Sequence, residues 1–267
     1  EGVMAQSLEI LQRTLQPVLC VDIPTGLHAD SGICLSPTPA QSANTQRHTL
    51  SLLTLKTGLF TAQGRDAVGD VWFNDLGIHD GQTHNATAWL QQTKPTDDQR
   101  PHSSHKGSFG DVCILGGAQG MSGAAMLAGI AALHGGAGRV LVGLLDTTAR
   151  HIGATYPPLM VRDASHLNLA NAAVVCGCGG GNDIHAFMPH ALSTSQKLVI
   201  DADALNAIAR DTSLQRLLIQ RNARGKPTVL TPHPLEAARL LQCTTQEVQS
   251  DRLLAAQKLA NAFQCVV

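Results

Sequence analysis

The sequence predicts an α/β protein with a mostly parallel sheet and helices on both of its faces. Two observations carry this prediction. Short apolar runs alternate with helical patterns through the second half of the chain, and glycine-rich stretches follow several of the runs. The 267 residues include 25 glycines, and they are enough for one large or two moderate domains with buried cores.

The first part of the chain is predicted to hold one helix and three strands. Residues 1–15 carry apolar side chains at helical spacing, and apolar runs follow at 17–22, 48–60 and 69–78. The sequence then turns polar from His79 to His105, which predicts a domain boundary. The predicted organisation is a domain over residues 1–79, a linker over 80–105 and a second domain over 106–267.

Strand and helix patterns alternate regularly after this boundary. Apolar runs that predict strands are followed by helical patterns, and two helices are predicted between Pro234 and Gln264. The predicted strands are 111–115, 139–145, 172–177, 197–201 and 227–231, and the other predicted helices are 122–134, one through 185–192 and one from Ala204. Residues 264–267 look like the start of a further strand, so we expect both ends of the chain to lie inside a longer protein.

The composition argues against several classes of function. Charged residues make up 15% of the chain, aromatic residues 3%, and the net charge is -1, so no basic surface is expected to bind nucleic acid. No run of eighteen apolar residues predicts a membrane span. Seven cysteines, an odd number without a CxxC pair, predict reduced thiols and a cytoplasmic protein.

Two glycine-rich stretches follow predicted strands, "CILGGAQGMSGAA" at 113–125 and "VVCGCGGGND" at 174–183. Ligands of parallel α/β sheets bind beyond the carboxyl ends of the strands. Open backbone amides there could bind an anion, and two such strand ends suggest a ligand the size of a nucleotide. Neither stretch has the GxGxxG pattern, so the alternative of tight structural turns stays open.

Polar side chains follow two more predicted strands. Asp201 and Asp203 come directly after the run at 197–200; we expect Asp203 to cap the following helix and Asp201 to face a ligand. His233 lies between Pro232 and Pro234, and this rigid loop favours a functional imidazole over a structural one.

In the first part of the chain, Asp22 ends an apolar run and Thr25 lies in the turn that follows. The two oxygen-bearing side chains could bind a sugar hydroxyl or a monovalent cation. The alternative is that Asp22 only forms the turn through bonds to its own backbone.

Six segments resemble, in order and spacing, the family of bifunctional NAD(P)H-hydrate repair enzymes. They are "VDIPTGLHADSG", "LTLKTGLF", "KGSFGDVCILGG", "MSGAAMLAGIAAL", "VIDADALNAIA" and "LTPHPLEAARLL". The resemblance implies that the N-terminal part is the end of a Rossmann-like epimerase domain. It implies that the C-terminal part is an ADP-dependent dehydratase domain of the ribokinase-like fold, which restores NADH and NADPH from their hydrates.

The resemblance also implies roles for residues of this chain. In the epimerase part, Asp22 would contact the hydrated nucleotide and Thr25 would help to bind K⁺. In the dehydratase part, Ala124, Gly179 and His233 would line the hydrate site. Lys106 would be a ligand-side residue, or else a solvated charge. The implied cofactors are ADP or ATP, Mg²⁺ and K⁺, and a homo-oligomer is expected.

The chain also departs from the family pattern. The glycine loop has Cys178 and Gly180 where the family usually has Pro and Leu, and Leu235 replaces a Gly. The family's first nucleotide loop would precede Glu1, and its GTGD segment, with the catalytic Asp, would follow Val267. We therefore expect this chain alone to be inactive. Two alternatives remain, a ribokinase-like kinase of small alcohols or vitamin precursors and a non-catalytic dinucleotide-binding module.

Overall fold

The computed structural model describes residues 2–14, 16–35, 46–78, 86–91 and 100–267. The chain divides into two compact units: Glu1–Thr96 with Gln249–Leu253, and Asp97–Val248 with Leu254–Val267. Most of the predicted linker over 80–105 lies outside the described residues, so its exact bounds stay a prediction. None of the helices in the described part of the chain combines the length and the hydrophobicity needed to cross a membrane.

The first unit contains a parallel sheet of three strands in the order β1-β2-β3. Val18 pairs with Arg47 and His48 pairs with Asp70, so the strands run in one direction. Leu27, Leu59 and Val68 form its small core. The elements are helix α1 (Val3–Arg13), β1 (Val18–Val21), β2 (Arg47–Leu52), helix α2 (Gly64–Ala67) and β3 (Asp70–Asn74).

The second unit is built on a six-stranded sheet in the order β6-β5-β4-β7-β8-β9. Every neighbouring pair is parallel, so all six carboxyl ends lie at one edge. The central strands are apolar on both faces, as expected for a parallel sheet covered on both sides. The strands are β4 (Asp111–Gly116), β5 (Arg139–Leu144), β6 (Met160–Asp163), β7 (Ala173–Cys176), β8 (Lys197–Ile200) and β9 (Thr228–Leu230).

Seven α-helices connect or follow these strands in the described residues of this unit. They are α3 (Ser122–His134), α4 (Met188–Thr194), α5 (Ala202–Arg210), α6 (Thr212–Ala223), α7 (Pro234–Leu241), α8 (Thr245–Ser250) and α9 (Arg252–Phe263). The predicted pair of helices after Pro234 is thus three helices. The predicted helix from Ala204 begins at Ala202, and Asp211 separates it from α6 by capping the second helix.

Two further details bear on the sequence predictions. Strand β6 was not predicted. At the other end of the unit, Val266 makes a single parallel bridge to Val229, which agrees with the expected start of a strand at 264–267. All seven cysteines lie in the described residues, and none of them forms a disulfide bond.

Candidate functional site at the carboxyl ends of the strands

The two glycine turns of the second unit are bonded to each other. The Gly117 amide donates to the carbonyl oxygen of Cys178 at 3.0 Å, and the Ala118 amide donates to that of Gly179 at 2.7 Å. The expectation that the amides of the first turn are open to an anion is therefore wrong at these two positions. They already have backbone acceptors, and these bonds fix the turn after β4 against the turn after β7.

Gly179 lies against the first turn of α3, where only a glycine fits. Its φ is +59°, and a Cβ built on it would lie 2.7 Å from the carbonyl oxygen of Met121 and 2.9 Å from the Cβ of Ala124. The left-handed backbone and the close approach both exclude a side chain. The structure thus brings together Ala124 and Gly179, two of the residues predicted to line the site.

Asp203 forms a hydrogen bond with the second glycine turn, the one that follows β7. Its Oδ2 accepts a hydrogen bond of 2.8 Å from the Gly181 amide. The prediction that Asp203 caps the following helix is wrong, because α5 begins at Ala202 and Asp203 is already inside its first turn. Asp201 occupies the N-cap position but makes no side-chain capping bond. Between the two acids, Ala202 has a left-handed backbone with φ of +47°.

Asp201 instead links the ends of two strands to the glycine turn. Its Oδ1 accepts a hydrogen bond of 2.8 Å from the Thr231 hydroxyl, and its Oδ2 lies 3.7 Å from the Cys178 Sγ. Burial, together with the charge of Asp201, raises the pKa of the Cys178 thiol to about 11. Cys178 is therefore a neutral thiol at neutral pH. Whether Asp201 also faces a ligand stays a prediction.

His233 is held by its own turn. It is the N-cap of α7: its Nδ1 accepts from the Leu235 amide at 3.2 Å, and its Nε2 lies 2.9 Å from Oε1 of the buried Glu236. The other oxygen of Glu236 accepts from the His233 amide at 2.9 Å. Both ring nitrogens are thus engaged, with Nδ1 as acceptor and Nε2 as donor. The half-exposed ring would therefore offer a ligand its face and edges rather than a free nitrogen.

Lys106 begins a short 3₁₀ turn, Lys106–Phe109, ahead of β4. Its side chain is exposed, and its ammonium group has no hydrogen bond or ion pair with the residues that the structure describes. Its role as a ligand-side residue is neither supported nor opposed by these contacts.

In the first unit, Asp22 forms an ion pair with Lys56. The Asp22 Oδ1 also accepts a hydrogen bond of 3.0 Å from the Leu52 amide, and the Lys56 Nζ donates to the Leu52 carbonyl oxygen at 2.7 Å. The hydrogen bond from Lys56, followed by that from the Leu52 amide, lowers the pKa of Asp22 below its ordinary value. Asp22 has φ of +68°. Its carboxylate is bonded to distant residues, so the alternative of a purely local turn-former is wrong.

Lys56 is the residue of this site that the sequence analysis missed. It lies in the segment "LTLKTGLF", which was recognised only as part of the family pattern. The 34-residue separation from Asp22 hides the pair in the sequence. The signal that could have revealed it is a lysine at the end of one parallel strand and an acid at the end of its neighbour.

Thr25 is exposed, and its hydroxyl makes no hydrogen bond with a described residue, so it is free to provide one oxygen ligand. Over the described residues, no group of three or more His, Cys, Asp or Glu side chains could hold a metal ion. The described part of the turn thus offers K⁺ a single side-chain ligand at Thr25.

Comparison with known proteins finds a matching family model and similar sequences. A family model described as NAD(P)H-hydrate dehydratase matches residues 112–267. The chain is 34% identical over 265 residues to the bifunctional NAD(P)H-hydrate repair enzyme Nnr of Escherichia coli, covering 92% of this chain and 47% of that protein. It is 41% identical over 176 residues to the ADP-dependent (S)-NAD(P)H-hydrate dehydratase of Neisseria meningitidis, covering 63% of this chain and 58% of that protein. The chain thus spans about half the length of these relatives.

Solved structures show the same fold. A ribokinase-like superfamily protein from Enterococcus faecalis matches with a TM-score of 0.51 at 23% identity, over 62% of this chain and 59% of that one. The ADP/ATP-dependent NAD(P)H-hydrate dehydratase of Bacillus subtilis, co-crystallised with ATP and Mg²⁺, matches with a TM-score of 0.51 at 27% identity, over 62% of this chain and 60% of that one. The predicted ribokinase-like α/β fold is confirmed for the second unit.

Proposed function

Because the chain belongs to the NAD(P)H-hydrate dehydratase family, we propose that the protein to which it belongs repairs hydrated NADH and NADPH. The proposed reaction is the ADP-dependent dehydration of the S hydrate to the reduced dinucleotide. The contact that carries this proposal is the close approach of Gly179 to Ala124 and Met121 at the carboxyl ends of β4 and β7. The names of the relatives favour this activity over a small-alcohol kinase or a non-catalytic binding module.

We assign the hydrated nicotinamide to the surface formed by Ala124, Gly179 and His233. The glycine at 179 lets the turn pack against the first turn of α3, which a side chain would prevent, and so places Gly179 beside Ala124. The imidazole of His233 is held in place through both of its nitrogens, so it would serve as a fixed wall that positions the substrate. These three residues are proposed to bind and orient the substrate rather than to exchange protons.

Phosphoryl transfer from ADP to the substrate hydroxyl would turn a poor leaving group into a good one. Loss of phosphate, pushed by the ring nitrogen, gives an iminium ion, and loss of a proton from the adjacent ring carbon then restores the dihydronicotinamide. Catalysis of this kind depends on positioning and on charge stabilisation. Mg²⁺ that arrives with a nucleotide keeps mostly phosphate and water ligands. The half-buried Asp201, beside the glycine turn, is our candidate for a carboxylate that supports this end of the site.

We further propose that the first unit takes part in epimerising the R and S hydrates. The support for this step is the name of the bifunctional relatives together with the ion pair between Asp22 and Lys56 at the ends of β1 and β2. Asp22 would contact the hydrated nucleotide, and Thr25 would provide one ligand to K⁺. A cytoplasmic location and a homo-oligomeric state complete the proposal.

The test uses the full-length protein with the S hydrate of NADH, Mg²⁺ and ADP. We expect the absorbance of the reduced nicotinamide to return, and to return only when ADP is present. A matched reaction with the R hydrate measures the epimerase, because the R form can then be repaired only after conversion to the S form. Phosphorylation of a small alcohol without recovery of NADH would instead establish a kinase, and the absence of both reactions would leave a binding module.

A further inference from the structure

A cleft of about 480 Å³ lies beside the glycine turn, inside the second unit. Gly181 forms one end of it, and the remaining lining comes from α5, α7 and the segment after the glycine turn. The lining residues are Gly181, Asn182, His185, Asp203, Asn206, Ala207, Arg210 and Arg239. The volume falls in the range of small-molecule sites. Ala207 is its one apolar side chain, so the cleft suits a charged group better than an aromatic ring.

The charges that line the cleft are unequal. The one carboxylate of the lining residues, on Asp203, accepts a hydrogen bond from the Gly181 amide. His185 also lines the cleft, and its Nε2 lies 3.0 Å from the carboxylate of Asp211, which is outside the lining. The guanidinium groups of Arg210 and Arg239 also line the cleft, so among the lining residues two cations stand against one carboxylate.

Most of the donors of these guanidinium groups are unused. Arg239 donates through Nη1 to the Asn206 Oδ1 at 2.6 Å, which is a neutral acceptor. Arg210 is exposed at the end of α5 and has no hydrogen bond or ion pair with the residues that the structure describes. Each guanidinium carries five N–H donors in a planar fork that matches the oxygens of a phosphate.

We propose that this cleft binds phosphate groups of a nucleotide, with Arg210 and Arg239 as the charged ligands. Two sources share this chemistry. One is the dinucleotide substrate itself, whose phosphate groups would enter the cleft while its hydrated ring lies at Gly179; this source rests on the proposed function. The other is a separate nucleotide bound beside the active site.

Inorganic pyrophosphate is the probe, because it carries the shared chemistry without a base or a ring. Its binding to the full-length protein is measured by calorimetry at low ionic strength without Mg²⁺, for the wild type, Arg210→Gln, Arg210→Lys and Arg216→Gln. Arg216 is an exposed arginine on α6 outside the cleft, so Arg216→Gln loses the same charge elsewhere. We expect Arg210→Gln to weaken binding by roughly tenfold, Arg210→Lys by less, and Arg216→Gln not at all.

Equal affinities for Arg210→Gln and Arg216→Gln would overturn the proposal, and so would a wild type that does not bind pyrophosphate. Steady-state kinetics then separate the two sources. A higher KM for the hydrate with unchanged kcat in Arg210→Gln identifies the substrate's own phosphates, and an unchanged KM identifies a separate nucleotide. The calorimetry does not depend on turnover, so failure of the proposed repair activity would leave its result intact.

Discussion

The carboxylate of Asp203 accepts the amide of Gly181 across 2.8 Å and thereby ties the glycine turn after β7 to the first turn of α5. An ionised carboxylate forms a stronger hydrogen bond with an amide than a neutral acceptor does. A negative charge in the first turn of a helix is also stabilised by the positive end of the helix dipole. The shape of the turn therefore depends on a side chain more than twenty residues later in the chain.

Asp203→Ala is expected to loosen the glycine turn. The Gly181 amide would lose its acceptor, at a cost of roughly 1–3 kcal/mol in the free energy of unfolding. Hydrogen exchange of the Gly181 amide should speed up in this variant. Asp203→Asn keeps an oxygen acceptor, so its exchange rate should lie between those of the wild type and Asp203→Ala. Exchange at the wild-type rate in Asp203→Ala would show that the bond does not hold the turn.

In the full-length protein, Gly179→Ala is expected to abolish most of the proposed dehydratase activity. The added Cβ combines a left-handed φ with contacts of 2.7 Å and 2.9 Å to Met121 and Ala124, so the turn must shift. Strain of this kind costs about 1–3 kcal/mol, and displacement of the substrate lowers kcat/KM by roughly tenfold or more.

Gly123→Ala is the matched control for this substitution. Gly123 lies in the first turn of α3, its helical φ suits any residue, and a Cβ there meets nothing within 4 Å. Thermal unfolding should show a slightly more stable protein, because alanine favours the helix by about 0.5–1 kcal/mol. Equal activities for the two alanine variants would contradict the role given to Gly179.

Lys56→Met is expected to raise the pKa of Asp22 back toward its ordinary value. The hydrogen bond from Lys56 is the largest cause of the lowered pKa, and the bond from the Leu52 amide remains in the variant. An NMR titration of the Asp22 carboxyl carbon measures the shift, and the assay with the R hydrate should show slower epimerisation. Arg65→Gln, which removes an exposed cation of the same unit, should change neither measurement.

Arg221→Met is expected to destabilise the second unit by roughly 3 kcal/mol. This buried guanidinium donates to the carbonyl oxygens of Leu192 and Ser195, at 2.6 Å and 2.9 Å, and to the Thr228 hydroxyl at 2.7 Å. Removing it leaves these buried acceptors unpaired. Lys226 makes a similar bond to the Ser193 carbonyl oxygen at the surface, so Lys226→Met should cost less than about 1 kcal/mol in the same denaturant titration.

The stability of α6 is expected to fall at acid pH. Hydrogen bonds from the Ser213 hydroxyl and amide, with a smaller contribution from His185, lower the pKa of Asp211 to about 2. The unfolded chain then binds a proton more readily than the folded one. The stabilisation is complete above the ordinary pKa of about 3.9 and is lost as the pH falls toward about 2.

Denaturant unfolding over this pH range measures the effect. In Asp211→Asn the group no longer titrates, so part of the slope of stability against pH should disappear. Asp183→Asn removes an exposed acid that makes no hydrogen bond with the described residues, and it should keep the slope of the wild type. Equal slopes for wild type and Asp211→Asn would contradict the assignment.

The sequence predicted most strands of the second unit because their short apolar runs alternate with helical patterns. It missed β6, whose four residues "MVRD" contain an apolar run of only two residues after a turn with two prolines. The positions of Asp201 and Asp203 relative to the start of α5 were also out of reach. Either acid could begin the helix, and the left-handed backbone of Ala202 that decides between them leaves no mark in the sequence.

The candidate site was predicted only in part. Ala124 and Gly179 were identified through the resemblance of their segments, and the structure places them in contact. Bonds between distant residues were not visible. These are the backbone bonds between the two glycine turns and the ion pair of Asp22 with Lys56.

The strand order of the second unit has a consequence for the time course of folding. β4 lies between β5 and β7 in the sheet. Its pairing of Val112 with Ala173 closes a loop of the chain that contains β5 and β6. Closing such a long loop is entropically costly, and sheets with distant pairings fold slowly. The contact between Gly179 and Ala124 depends on this closure, so we expect the surface proposed to hold the hydrate to form only after β4 and β7 have paired.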